Sequence, residues 1–176
     1  MKHIIIIAVI LNLAGCGYKA LKPETLNVNV AGNQLSASNI VTANYCEGGI
    51  LLPGHTEFHS QKCFIVETKD RFIFLRRKGE EVSNTKPPLG ELKYTQIQSI
   101  GMWKSGVGRQ LHIRIPTGDT FVLQFQLMKS AAFINTEAMD SLYKNLKSKG
   151  YPEFEVTEIT LPVTDLPFFI FLPIII

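Results

Sequence analysis

Two imidazoles and a thiol recur at a spacing of four residues, in His55, His59 and Cys63. On a helix this spacing would place all three side chains on one face, where they could bind zinc with Cys46 as a fourth ligand. The glycines and proline of residues 48–54 disfavour such a helix, and oxidation competes for both thiols. We therefore predict no metal site and keep zinc binding by these residues as the alternative hypothesis.

The start of the chain has the pattern of an export signal. Lys2 gives a basic start, residues 4–11 form an apolar run, and the small residues Ala14 and Gly15 precede Cys16. The apolar run is shorter than the roughly 20 residues that a transmembrane helix needs. A buried N-terminal strand would explain the apolar run, but not the small residues and the cysteine that follow it.

The sequence "LAGC" of residues 13–16 closely resembles the lipobox of bacterial lipoproteins. The resemblance implies that a diacylglyceryl group is attached to the sulfur of Cys16, the lipidation site, and that the chain is cut just before it. Residues 1–15 would then be the signal peptide and residues 16–24 a tether. In this family an aspartate after the cysteine often marks inner-membrane proteins, so Gly17 favours a lipid anchor on the periplasmic face of the outer membrane.

A disulfide between Cys46 and Cys63 is the chemistry that the cysteine count favours. The chain has three cysteines, and lipidation of Cys16 would leave an even pair in an oxidising compartment. The glycine-rich segment between the two predicts a loop or an irregular hairpin, which would let flanking strands pair. Two unpaired structural thiols are the alternative to the disulfide.

A loop that contains two glycines lies between Lys104 and Arg109, and its backbone amides could hold an anion. Trp103, next to the loop, could instead anchor a protein partner. The loop lacks the Gly-Lys-Ser/Thr ending of a phosphate-binding P-loop. The alternative is an ordinary hairpin loop with a tryptophan in the core, so these three residues are a candidate anion or partner site.

The elements that must position these side chains are mostly strands. Residues 63–68 and 71–77 flank Lys69 and Asp70 in the pattern of a hairpin. Further along, residues 109–116 and 120–128 alternate apolar and polar side chains, which predicts one buried and one solvated face. The buried face would carry Leu111, Ile113, Ile115, Phe121, Leu123, Phe125 and Leu127, and the solvated face Gln110, His112 and Arg114.

An amphipathic helix is predicted over residues 131–149, because the apolar spacing changes there to the helical period. Gly150 follows as the expected residue after the helix end, and Pro152 prevents continuation. The chain is therefore predicted to be mainly β (α+β), with an antiparallel sheet or partly open barrel of about 6–8 strands that one C-terminal helix caps.

The order of elements in residues 63–150 resembles the C-terminal half of a pleckstrin-homology-like domain, of the kind found in bacteria and in GRAM domains. The resemblance rests on the strand with Ile97 and Ile100, the hairpin after it and the helix, and a β-sandwich is the alternative. Residues 25–160 would form the single domain, and residues 151–160 could add a strand. The apolar, proline-containing tail of residues 161–176 is too short to span a bilayer, so its aromatic side chains should be covered by the domain, a membrane or a partner.

The functional expectation is a lipid-anchored, non-catalytic binding or adaptor domain, for which an immunity-type protein is one example by analogy. The net charge is only +3 and the basic residues are scattered, so no nucleic-acid partner is predicted. No motif pairs a nucleophile with a base. The expected partners are the membrane, through the lipid, and a protein; no cofactor is predicted apart from the lipid on Cys16. The alternative class is a metal-dependent envelope enzyme that uses His55, His59 and Cys63.

Overall fold

A computed structural model of the chain describes residues 28–30, 33–35, 37–78, 81–82, 88–127 and 134–163. The predicted signal peptide, the lipidation site Cys16, the tether and most of the apolar tail lie outside these residues. No helix within the described ranges combines the length and the apolar character that crossing a membrane requires.

The strands, in chain order, are β1 Val28–Val30, β2 Asn33–Leu35, β3 Ile40–Leu51, β4 Glu57–Thr68, β5 Arg71–Lys78, β6 Glu81–Val82, β7 Gly90–Lys93, β8 Ser99–Ser105, β9 Gly108–Arg114, β10 Thr120–Gln126 and β11 Leu161–Val163. The α-helix α1 spans Thr136–Ser148, and short 3-10 turns span Ala37–Asn39 and Tyr94–Gln96.

An open, mainly antiparallel sheet dominates the fold, with the strand order β6-β5-β4-β3-β10-β9-β8. Strand β7 also pairs with β5, and β11 pairs with β4 in the parallel direction. Strands β1 and β2 form a separate hairpin. Within the described residues, the prediction of a mainly β chain with one α-helix is therefore confirmed at this level.

The hairpin of β3 and β4 is more regular than its glycines suggested. The loop or irregular hairpin predicted between Cys46 and Cys63 is wrong in extent, because β3 continues to Leu51 and only residues 52–56 turn. Only glycine fits at position 49 of the strand, because the Cβ atom of any other residue would lie 1.9 Å from the carbonyl oxygen of His59 and clash with it. The glycine is needed for close packing between neighbouring strands, not for a turn.

The larger of two apolar clusters among the described residues lies between the sheet and α1. It includes Met139, Leu142 and Leu146 of the helix, and it confirms the predicted inward face for Leu111, Ile113, Phe121, Leu123 and Phe125 of the sheet. Leu127, predicted on the same face, is only partly buried and lies outside this core. The helix begins at Thr136 rather than at residue 131, because Ile134 pairs with Gln126 and the side chain of Asn135 caps the first turn. It ends as predicted, with Gly150 in the left-handed conformation at φ 87°.

Residues 151–163, here called the strap, connect the edge strand β8 with the interior strand β4. The strap joins β8 at Ile100, whose backbone bonds to Pro152 and Phe154, and ends as β11 beside β4. It contacts the sheet closely at Gly101, where a Cβ atom would lie 2.5 Å from Val156. Within residues 151–160 only Glu153 makes a strand bridge, and the strand itself forms from Leu161, inside the segment that we assigned to the tail.

Candidate functional site

The predicted disulfide is present. Cys46 and Cys63 lie directly opposite each other on β3 and β4 with their Cα atoms 4.9 Å apart, and they are bonded. Both are buried in the core, at 0% and 2% exposure. The bond therefore crosslinks the two longest strands in the middle of the sheet.

The four-residue spacing of His55, His59 and Cys63 does not correspond to a helical face. His55 lies in the turn between β3 and β4, whereas the other two residues lie on the extended strand β4. Four residues along a strand span about 13 Å, and the sulfur of Cys63 is already bonded to Cys46. Within the part of the chain that the structure describes, no three metal-ligating side chains come together.

The candidate anion loop is the tip of the β8–β9 hairpin, and both of its cations are paired. The ammonium of Lys104 and the guanidinium Nε of Arg109 each lie 3.1 Å from one carboxylate oxygen of Asp140 on α1. Burial raises the pKa of Asp140, but the hydrogen bonds from Arg109 and Lys104 outweigh burial and hold that pKa below its ordinary value. Anion binding remains a prediction, and an incoming anion would compete with Asp140.

The same hairpin presents an apolar tip. Val107, in the turn, is 82% exposed, and Trp103 packs over Gly108, where a Cβ atom would lie 2.7 Å from the indole ring. The guanidinium of Arg109 also donates to the carbonyl oxygens of Gly106 and Gly108, at 2.9 and 2.8 Å. These bonds hold the turn in one shape. Sequence reasoning missed Val107, because a valine between two glycines carries no periodic signal.

A buried carboxylate that the sequence did not reveal joins three elements. Glu67 at the end of β4 is 6% exposed and accepts hydrogen bonds from the Tyr94 hydroxyl at 2.6 Å and from Asn145 of α1 at 3.2 Å. Its second oxygen accepts from Thr42 of β3 at 3.0 Å. Burial and the bond to Glu67 raise the pKa of Tyr94 far above its ordinary value. The cluster attaches the helix to the sheet.

Replacing Tyr94 with phenylalanine should lower the free energy of unfolding by about 1.5–3 kcal/mol, the range for a hydrogen bond to a charged group. Tyr143→Phe is the matched control, because its hydroxyl donates to Glu153 over the same 2.6 Å but at an exposed site. The control should cost less than about 1 kcal/mol. Urea unfolding measures the free energy of unfolding of both variants. Equal losses in the two would show that burial of the Glu67 carboxylate does not strengthen its hydrogen bond to Tyr94.

The outer face of β9 is buried, so the prediction of a solvated face is wrong for Gln110 and His112, although it holds for Arg114. The strap covers this face, and the Gln110 side chain pairs with the backbone N–H and C=O of Thr160 at 2.8 Å each. The His112 Nε2 atom lies 2.9 Å from the Gln110 Oε1 atom. Burial lowers the pKa of His112 to about 4, so the ring is neutral at physiological pH.

A small cavity lies beside the disulfide, between Gly48, Cys63 and Phe121. Its volume of about 10 Å³ is about the minimum for a single water molecule. The functional candidates are thus the exposed hairpin tip and the two buried polar clusters. In comparisons with known proteins, no family model and no curated protein sequence matches the chain.

Proposed function

We propose that the chain is a lipid-anchored, non-catalytic binding domain of the cell envelope, which presents its β8–β9 hairpin to a protein partner. The observation that carries the proposal is the tip of this hairpin, where Val107 is 82% exposed above a base that Arg109 and Asp140 clamp. A preordered apolar tip loses little conformational entropy when it binds. The lipid on Cys16 would hold the domain at the periplasmic face of the outer membrane.

The roles of the reactive side chains support a non-catalytic domain. Cys46 and Cys63 are joined to each other, Glu67 attaches the helix to the sheet, and His112 lies beneath the strap. Each of these groups contacts a neighbouring element and so has a structural role. An immunity-type protein, which binds a toxin directed at the periplasm, is one member of this class.

The finer architecture that we propose is pleckstrin-homology-like. The meander β3-β4-β5-β7 is followed by the meander β8-β9-β10 and then by α1, as in that family. Strand β3 pairs with both β4 and β10, so it joins the two meanders within one sheet. Such sharing favours the pleckstrin-homology-like arrangement over a sandwich of two separate sheets.

The lipid anchor can be tested without knowledge of the partner. Cys16→Ser removes the thiol that would accept the diacylglyceryl group, so the variant should remain an uncleaved precursor that incorporates no labelled palmitate. The wild-type chain, labelled in parallel, should incorporate palmitate and partition into the detergent phase. A wild-type chain without label would refute both the anchor and the proposed location.

The partner surface can be tested by a photo-crosslinking side chain placed at Val107 in the full chain, in envelopes. The matched control position is Thr117, an exposed residue in the turn at the opposite end of β9. We expect a discrete crosslinked protein from position 107 and none from position 117. The proposal fails if position 107 yields no adduct or if both positions yield the same one.

A further inference from the structure

The outer edge of β8 continues beyond the point where the strap pairs with it. The backbone N–H of Ile100 donates to Pro152 and its C=O accepts from Phe154, both at 2.9 Å. In an antiparallel strand the backbone groups of alternate residues point to the same edge. Met102 and Lys104 therefore direct their N–H and C=O groups outward, as Ile100 does, on the side away from β9.

The strap leaves this edge after one residue. Beyond Ile100 its backbone turns onto the outer face of the sheet, where Phe154 and Val156 lie against Gly101. It then continues to Thr160, which pairs with the side chain of Gln110. Of the residues that the structure describes, none pairs with the β8 edge from Met102 to Lys104.

This edge, which is unpaired among the described residues, lacks two of the usual devices that protect an edge strand, since β8 contains neither a proline nor a bulge. It does carry one lysine, but the ammonium of Lys104 is paired with Asp140 of α1 at 3.1 Å. The edge is thus able to template a further strand.

Helix α1 forms one wall beside the edge. The ring of Tyr143 lies 5.5 Å below the ammonium of Lys104, and its hydroxyl donates to Glu153 of the strap. Glu153 pairs with Ile100, so the contacts of Tyr143 lie on both sides of Met102 along β8, at Lys104 and near Ile100. On the opposite face the partly exposed Trp103 packs over Gly108. A strand added here would contact Tyr143 and Met102 on one side and Trp103 on the other.

We propose that this edge binds an extended, predominantly apolar segment of a partner protein as an additional β-strand, paired with Met102 and Lys104. The inference rests on the proposed function and specifies how that partner is recognised. The strap already makes this kind of backbone pairing at Ile100, two residues before Met102 on the same edge of β8. The partner segment is predominantly apolar because the side chains that flank the edge, Met102, Trp103 and Tyr143, are aliphatic or aromatic.

A peptide of about ten residues, selected from a random phage-displayed library against the intact lipoprotein, provides the probe. Met102→Pro removes an N–H group that points away from β9, so the substitution breaks no hydrogen bond between β8 and β9. Met102→Leu is the matched control, because it keeps both the N–H and an apolar side chain. We expect the selected peptide to bind the wild type and the leucine variant equally, and the proline variant at least about tenfold more weakly.

Hydrogen exchange of the wild-type chain gives a second readout that does not depend on the folding of the proline variant. The amide protons of Met102 and Lys104 should exchange more slowly when the peptide is added, whereas that of Thr117 should not change. Failure to select a peptide, or a peptide that protects other amides, would overturn the edge site, while a crosslink at Val107 would still support the proposed function. Protection that depends on protein concentration without peptide would show instead that a second copy occupies the edge, which also overturns the inference.

Discussion

Replacing both Cys46 and Cys63 with alanine is expected to lower the free energy of unfolding by about 3 kcal/mol and the melting temperature by roughly 10 °C. The two cysteines are 17 residues apart in sequence, and the crosslink restricts the unfolded chain between them. The segment includes Gly48, Gly49 and Gly54, so its unfolded form has much conformational entropy. Alanine is the appropriate replacement because both sites are buried and a serine hydroxyl there would need a partner.

Each single alanine variant should be destabilised about as much as the double variant, because one missing sulfur already abolishes the crosslink. The wild-type protein, unfolded in the presence of a reductant, should match them. Circular dichroism during heating measures the melting temperature, and thiol labelling of the folded protein checks the premise. Labelling of either cysteine before reduction would contradict the crosslink, as would a double variant that melts with the wild type.

The sequence was sufficient for the features that arise from local patterns. The alternation in residues 109–128 identified two strands and their core-facing side chains, since Leu111, Phe121 and Phe125 contact the core as predicted. Gly150 marked the end of the helix, because a left-handed residue after the last turn favours glycine. The cysteine pair followed from counting, on the expectation of an oxidising compartment.

The features that the sequence did not reveal depend on distant neighbours. Gly49 was interpreted as a turn residue, but its role is the close approach of the backbone at His59, which no local pattern shows. Gln110 has the polar character of a solvated position, yet its partner Thr160 is 50 residues away. The alternating pattern identifies which side chains share a face, but it does not show what covers that face.

The candidate site divides in the same way. Trp103, Lys104 and Arg109 were found because aromatic and basic residues beside glycines are a recognisable pattern, and they do lie on one hairpin. That Asp140 pairs with both cations was not visible, because the contact joins a hairpin to a helix about thirty residues later. Of the two hypotheses for this loop, an anion site and a partner site, the pairing favours the second, because an anion would have to compete with Asp140.

Acid should destabilise the protein through His112. Its folded-state pKa is lowered by burial to about 4, from the ordinary value of 6.5, so between these values the unfolded chain binds a proton that the folded chain excludes. The contribution of the neutral ring to stability is therefore complete above pH 6.5 or so and is lost as the pH falls toward 4. With 1.36 kcal/mol for each unit of pKa difference, the loss amounts to about 3 kcal/mol at pH 4.

The variant His112→Gln isolates this effect, because glutamine does not titrate and still offers an amide donor to Gln110. Carboxylates elsewhere, such as Asp140, also reduce stability in acid, but they do so equally in both proteins and cancel in the difference. We expect the free energy of unfolding, measured with urea from pH 7.5 to 4, to fall by about 3 kcal/mol more in the wild type. Parallel pH curves would mean that His112 has the same pKa in the folded and the unfolded chain, and hence that the strap does not shield the ring from water.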